Sequence, residues 1–171
     1  FLILAEIFMT RDRTTLCFTG HRSYVPSVEG EARLVEALNA ALADGYRTFI
    51  SGMAPGFDLA AAEAVLRLRV QGVRLVAAIP FRGQPHGCTA DDRRRYDALL
   101  EASDEACVLA ERYSLGCYYR RDDWMVDRSA RMICWYDSAG GNSGTRYTVH
   151  RALKAGLEMV NVFRDPNGTL F

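Results

Sequence analysis

The chain has 171 residues, and its 21 basic and 21 acidic side chains cancel to a formal net charge of zero. No global field therefore favours nucleic acid or an anionic membrane as a partner. Hydrophobic residues at 49% and charged residues at 25% exclude a disordered chain and suit one folded domain with a continuous core.

The segment Phe1 to Phe8 is apolar but too short to span a bilayer, and it lacks the basic start and cleavage site of a signal peptide. Met9 is read as the natural start, and residues 1–13 as an N-terminal extension. Thr14 to Thr19 is β-branched and aromatic, a buried first strand ending at the polar turn Gly20-His21-Arg22. Ser27 caps a helix whose apolar stripe is Val28, Ala32, Val35, Leu38 and Leu42, and Gly45 stops it. Tyr46 to Ile50 is the second strand. It runs into the glycine-punctuated turn Ser51-Gly52-Met53-Ala54-Pro55-Gly56-Phe57-Asp58, and a helix over Leu59 to Val70 follows.

Val73 to Ile79 is the third strand, closed by Pro80, with Phe81 and Gln84 in the loop behind it. Asp91 to Ser103 is a charged helix with Tyr96, Leu99 and Leu100 inward. Glu105 to Ala110 is a short fourth strand. The stretch from Glu111 to Asp123 reads as irregular, with Arg120-Arg121 a solvated face like Arg93-Arg94-Arg95. A short helix over Trp124 to Ser129 follows, with Asp127 and Arg128 pairing or capping locally. Arg131 to Tyr136 is the fifth strand, leading to Gly140-Gly141-Asn142-Ser143-Gly144-Thr145. A helix to Ala155 and a last strand, Leu157 to Phe163, complete the domain, set at 14–165 with a tail of 166–171.

Three helix ends, at Gly45, Gly72 and Gly156, each join a glycine stop directly to a strand, the short connection of a repeating β-α unit. The strands are near-continuous apolar runs, as expected when helices cover both sheet faces. The expected fold is α/β: a doubly wound, mostly parallel, Rossmann-like sheet of about six strands in a three-layer α/β/α arrangement. Ligands of such folds lie beyond the carboxyl ends of the strands, where the four polar turns also lie.

The turn over 140–145 has the glycine content that lets backbone amides approach a phosphate, without the lysine of a P-loop or the spacing of a dinucleotide fingerprint. Arg22 is a candidate phosphate ligand or a plain surface arginine. Asp58 and Glu63 are the weak candidates for acid–base work, and Asp58 at a helix start equally suits a structural role. The five scattered cysteines form no C-x-x-C pair and have no histidine at zinc spacing, so no metal is expected and a reducing cytoplasm fits.

Cys17-Phe-Thr-Gly-His-Arg22, Ser51 to Asp58 with Ala61-Ala-Glu63, Ile79-Pro-Phe81 with Gln84, Trp124-Met-Val-Asp-Arg-Ser129 and Gly144-Thr-Arg-Tyr-Thr-Val149 together resemble the YpsA-like family of the SLOG superfamily. The resemblance runs in order from about Thr14 to Phe163. It implies a Rossmann-like fold, a cytoplasmic bacterial protein and a nucleotide-type ligand: ADP-ribose, NAD or a mononucleotide. Phosphates would meet Gly140, Gly141, Gly144, Thr145 and the turn holding Ser51, Gly52, Met53 and Gly56, helped by Gly20, His21 and Arg22. The base would lie near Pro80, Phe81, Gln84 or Trp124. LOG phosphoribohydrolases, superfamily relatives, carry a catalytic glutamate after their glycine-threonine turn, where this chain has Arg146 to Val149. DNA-processing protein A, another relative, has an arginine where this chain has Pro55. N-glycosidic cleavage through Glu63 or Asp58 and a single-stranded DNA-binding module therefore stand as alternatives to simple nucleotide binding. A membrane role is not expected, nucleic acid is a disfavoured partner, and homo-oligomerisation is left open.

Overall fold

The computed structural model describes residues 11–69, 72–84, 88–140 and 143–164. The expectations for residues 1–8, Gly141 and the tail 166–171 lie outside them. Among the described residues six strands, β1 (Thr15–Gly20), β2 (Thr48–Ser51), β3 (Arg74–Ile79), β4 (Glu105–Val108), β5 (Arg131–Trp135) and β6 (Glu158–Asn161), alternate with five α-helices. These helices are α1 (Val28–Ala43), α2 (Phe57–Arg67), α3 (Ala90–Ala102), α4 (Cys117–Arg128) and α5 (Gly144–Lys154). All strand pairs are parallel, in the order β4-β3-β2-β1-β5-β6. The fold is the expected three-layer Rossmann-like α/β arrangement.

Period-two alternation along the strands divides the core between the two sheet faces. Leu16, Phe18, Phe49 and Leu75 point toward α1, α2 and α3, where Leu34, Leu38, Phe57, Val65 and Leu99 meet them. Cys17, Ile50, Val76, Met132 and Cys134 point the other way, against Met125 and Val126 of α4 and Val149 and Ala152 of α5. The chain builds outward from β1 to β4 on one side, then crosses back through α4 to place β5 on the other side of β1. That reversal between β1 and β5 opens a crevice at their carboxyl ends.

Several local expectations are corrected. The buried stripe of α1 is Gly30, Leu34, Ala37, Leu38 and Ala41; it keeps the expected Leu38, with Leu42 partly buried at its margin, but replaces Val28, Ala32 and Val35. Val28 is 81% exposed, because the first helical position falls outside the face that α1 buries. The strand β4 is largely exposed: it is a sheet edge, so its apolar run does not signify two covered faces. Helix α2 begins at Phe57 rather than Leu59, which brings Asp58 inside its first turn. The largest difference is α4, which starts at Cys117, seven residues ahead of the expected Trp124. Its buried positions Cys117, Arg121, Asp122, Met125 and Val126 follow helical spacing, but two carry charge, and that hides the stripe from a reading of apolar residues alone. Arg121 is consequently buried, not part of a solvated face.

Candidate functional site

The turn after β2 shows how tightly the crevice wall is built. Ser51 Oγ donates to the Asp58 carbonyl at 3.0 Å and accepts from the Met53 amide at 3.1 Å, tying the strand end to the first turn of α2. Met53 takes a left-handed conformation with φ of 59°. At Gly56, φ is +90°, and a Cβ would lie 2.6 Å from the Arg22 carbonyl oxygen, so this position admits only glycine. A Cβ on Gly20 would lie 2.4 Å from Phe57 Cβ, so the close approach of α2 to β1 depends on that missing side chain.

A cleft of about 610 Å³ lies over the β1 end, between the amino-terminal ends of α2, α4 and α5. This volume falls within the usual range for small-molecule sites. The expected residues Gly20, His21, Arg22, Asp58, Gly144 and Thr145 line it. Ser51, Gly52, Met53 and Gly56 form the wall behind the lining. Gly140 is exposed beside the His21 ring. Pro80 and Gln84 are buried elsewhere, and Phe81 sits one layer back, edge-on to Tyr113 and Tyr118 with centroids at 5.5 and 6.0 Å. Trp124 is not brought to the cleft; it lies under the Arg128 guanidinium at 4.2 Å. Glu63 is also absent from the lining and forms a two-point ion pair with Arg95 of α3, at 2.6 and 2.9 Å.

Residues of α4 and α5 that the sequence reading missed supply the cleft's chemistry. Arg121 donates from Nε to Asp122 Oδ1 at 2.6 Å and from Nη1 to the Gly52 carbonyl. A Cβ on Gly52 would overlap Nη1 at 2.6 Å, so that glycine makes room for the guanidinium. Thr148 Oγ1 lies 2.8 Å from both Asp122 Oδ2 and the Gly144 carbonyl, and its one proton is shared between them. A buried arginine thus stands between the carboxyl end of β2 and the carboxylates of Asp122 and Asp58, with its donors directed at Asp122 and Gly52. The Tyr118 ring lies 5.6 Å from the Arg22 guanidinium and 5.9 Å from that of Arg121.

Asp58 stands apart within this network. It is 5% exposed, and Oδ1 has no hydrogen-bond partner among the described residues. Burial pushes its pKa up to about 7; nearby Arg121 opposes the rise, Asp122 adds to it, and the Ala54 amide and Arg22 oppose it. Near neutral pH this carboxyl is therefore divided between its acid and base forms and lines the cleft, a state suited to exchanging a proton or a hydrogen bond with a ligand. His21 Nε2 accepts from the Asp137 amide at 3.1 Å, which assigns its neutral-state proton to Nδ1.

Helix ends add partial positive charge. The N-caps of α2 and α4 are Gly56 and Gly116, neither with a side-chain capping bond, whereas Ser143 caps α5 by accepting from the Arg146 amide. Three positive dipole ends face one cleft, two without a capping side chain. Among the described residues, no group of three or more His, Cys, Asp or Glu side chains is arranged to hold a metal ion, and no helix is long and apolar enough to cross a membrane.

An all-parallel sheet with a polar cleft at its strand-order reversal defines a Rossmann-like domain. The chain belongs to the YpsA family of the SLOG superfamily: the model described as the YspA SLOG family matches residues 26–161. The SPbeta prophage-derived protein YoqJ of Bacillus subtilis (strain 168) is 30% identical over 126 residues, covering 66% of this chain and 72% of its own. Among solved structures, DNA processing protein A from Helicobacter pylori superposes with a TM-score of 0.63 at 14% identity, over 91% of this chain and 67% of its own. TM1055 superposes with a TM-score of 0.53 at 15% identity, over 85% and 72%. At these identities the two structures speak to the fold alone.

Proposed function

We propose that this protein binds a small nucleotide or nucleotide derivative, of the mononucleotide, ADP-ribose or NAD type, in the cleft over β1. The observation that carries this reading is the convergence of three helix amino-termini with the exposed arginine Arg22 on one cleft of about 610 Å³. Backbone amides and aligned dipoles at helix starts favour phosphate, and Arg22 adds a charged, two-pronged donor. Tyr118, backed by Phe81, takes the stacking role expected of Phe81 or Trp124. Asp58, which lines the cleft and whose Oδ1 has no partner among the described residues, would accept from a ribose hydroxyl or, when protonated, donate to a phosphate oxygen.

The test is thermal or chemical unfolding with AMP, ADP-ribose, NAD and cyclic dinucleotides. A ligand at a hundred times its Kd stabilises by about 2.7 kcal/mol, which at this chain length corresponds to a rise in Tm of roughly 5–10 °C. Arg22→Ala should remove most of that rise. No shift with any of these ligands refutes the proposal.

The state of Asp58 favours a second reading, cleavage of the N-glycosidic bond, because a carboxyl near pKa 7 facing a cleft suits proton transfer. Glu63 is engaged by Arg95, which leaves Asp58 as the candidate. Release of free base from nucleoside monophosphates, abolished in Asp58→Asn, is the expected result. Intact substrate after long incubation at high enzyme concentration removes this reading and leaves binding. The Helicobacter pylori neighbour was described for its single-stranded DNA binding mode. A strand-binding role here would appear as a gel shift that weakens steeply with salt.

A further inference from the structure

A second hollow, of about 630 Å³, runs along the outer face of α5. Tyr119, Ser143 and Gly144 line both it and the main cleft, so the two are continuous around the start of α5. Its remaining wall is Arg146, Tyr147, His150, Arg151 and Lys154, a concentration of basic groups on a chain whose formal net charge is zero. Arg151 is engaged by Asp123 and Asp127 at 3.2 and 2.7 Å. Neither Arg146 nor Lys154 has an acidic partner among the described residues, and both are exposed.

Arg146 is also placed against its own helix. The first turns of α1 and α3 carry Glu29 with Glu31, and Asp91 with Asp92, the charge that a helix amino-terminus favours. The first turns of α4 and α5 have no acid and carry Arg120 and Arg146, cations that the dipole disfavours; Arg120 is held by the Leu115 carbonyl and Ser114 Oγ, whereas the Arg146 guanidinium has no hydrogen-bond partner among the described residues. Charge held against the local field, on the wall of a hollow, points to a ligand anion. Between Arg146 and Lys154, Tyr119 and Tyr147 meet edge-on with centroids at 4.5 Å, and they are 49% and 37% exposed. Both rings line the hollow. Positions 146 and 154 are about 12 Å apart along the helix axis, at about 1.5 Å per residue, so that two long side chains can reach toward one phosphate between them.

We propose that this trough is a second subsite, for a second phosphate-bearing nucleoside covalently joined to the one in the cleft. Arg146 and Lys154 hold its phosphate, and the tyrosine pair meets its base. The inference rests on the nucleotide reading of the cleft and extends it: the ligand is a two-unit or longer nucleotide. Its source is either a pyrophosphate-linked dinucleotide or a phosphodiester strand, and the two differ in test.

The experiment is isothermal titration of the full chain with AMP, NAD and a 5′-phosphorylated deoxyadenosine dinucleotide. Each is repeated on the double variant Arg146→Glu and Lys154→Glu, whose melting curve reports that the fold is retained. In the unaltered protein at least one two-unit probe should bind about tenfold more tightly than AMP, as expected of two exposed cation–phosphate contacts. The variant should lose that advantage while binding AMP unchanged. Preference between NAD and the deoxydinucleotide identifies the source. If AMP binds and neither longer probe binds better, or if the advantage survives in the variant, the second subsite is refuted and the cleft reading stands. If none of the three binds, the second subsite is refuted, and the cleft reading falls with it when ADP-ribose and cyclic dinucleotides also leave the melting temperature unchanged.

Discussion

Replacing Asp58 by asparagine keeps the shape of the buried side chain and removes its ionisation. In the folded protein its pKa rises from 3.8 to about 7. Below the lower value both folded and unfolded chains hold the proton. Between the two only the folded chain does, so stability falls as pH rises, by about 1.4 kcal/mol per pH unit. Above about 7 the loss is complete, and across the whole interval it amounts to about 4 kcal/mol. Asp58→Asn escapes this loss. Urea unfolding at pH 5 and pH 8, followed by the fluorescence of Trp124 and Trp135, should show the variant gaining about 3 kcal/mol on the unaltered protein between the two conditions. Taking the difference of the two pH profiles cancels the titrating groups that do not interact with Asp58 and any constant effect of the amide. Parallel profiles would mean that Asp58 ionises as an ordinary solvated carboxyl, and the account of the cleft given above would fail with it.

Three further outcomes follow from the packing. Gly20→Ala drives a methyl group to within 2.4 Å of Phe57 Cβ and should cost about 1–3 kcal/mol; an unchanged urea midpoint would contradict the close approach of α2 to β1. Arg121→Ala leaves the Asp122 carboxylate buried without its cation and should cost about 3–5 kcal/mol, with Arg121→Lys recovering part, and equal stability of all three proteins would refute the buried network. Burial pushes the Cys17 thiol up to about 12 and raises that of Cys134 as well. Together with buried Cys117 these thiols should resist a thiol reagent until the protein unfolds, while half-buried Cys107 reacts in the native state; native labelling of Cys17 at the rate of Cys107 would show that the core is not closed.

Much of the architecture was legible along the chain because it depends on local chemistry. Apolar runs of strand length alternate with helical stretches, and Gly45 and Gly156 stop two helices in left-handed conformations, the backbone state a glycine supplies at little cost; the third expected stop, Gly72, is corrected, because α2 already ends at Arg67 with Leu68 as its C-cap. The motifs at Gly20 to Arg22, Ser51 to Asp58 and Gly144 to Val149 carried the family resemblance for the same reason: each is a short segment whose residues face their own turn. Placing Asp58, Arg22 and Thr145 on one cleft needed only the rule that strand carboxyl ends share one side of a parallel sheet.

Tertiary structure alone decided which polar groups meet. Arg121 and Asp122 look like solvent-facing charges in a polar run, and nothing local distinguishes them from Arg120 or Asp123. They are buried because α4 crosses back over the sheet and presses that face against Gly52 and Thr148, residues 69 and 26 positions away. Glu63 and Trp124 sit within family-like motifs yet point into the α2–α3 and outer α4 surroundings, since a helix distributes neighbouring positions around its whole circumference. The ionisation of Asp58 belongs to the same category. Its pKa is set by burial and by charges on other elements, quantities that exist only once the chain has closed around it.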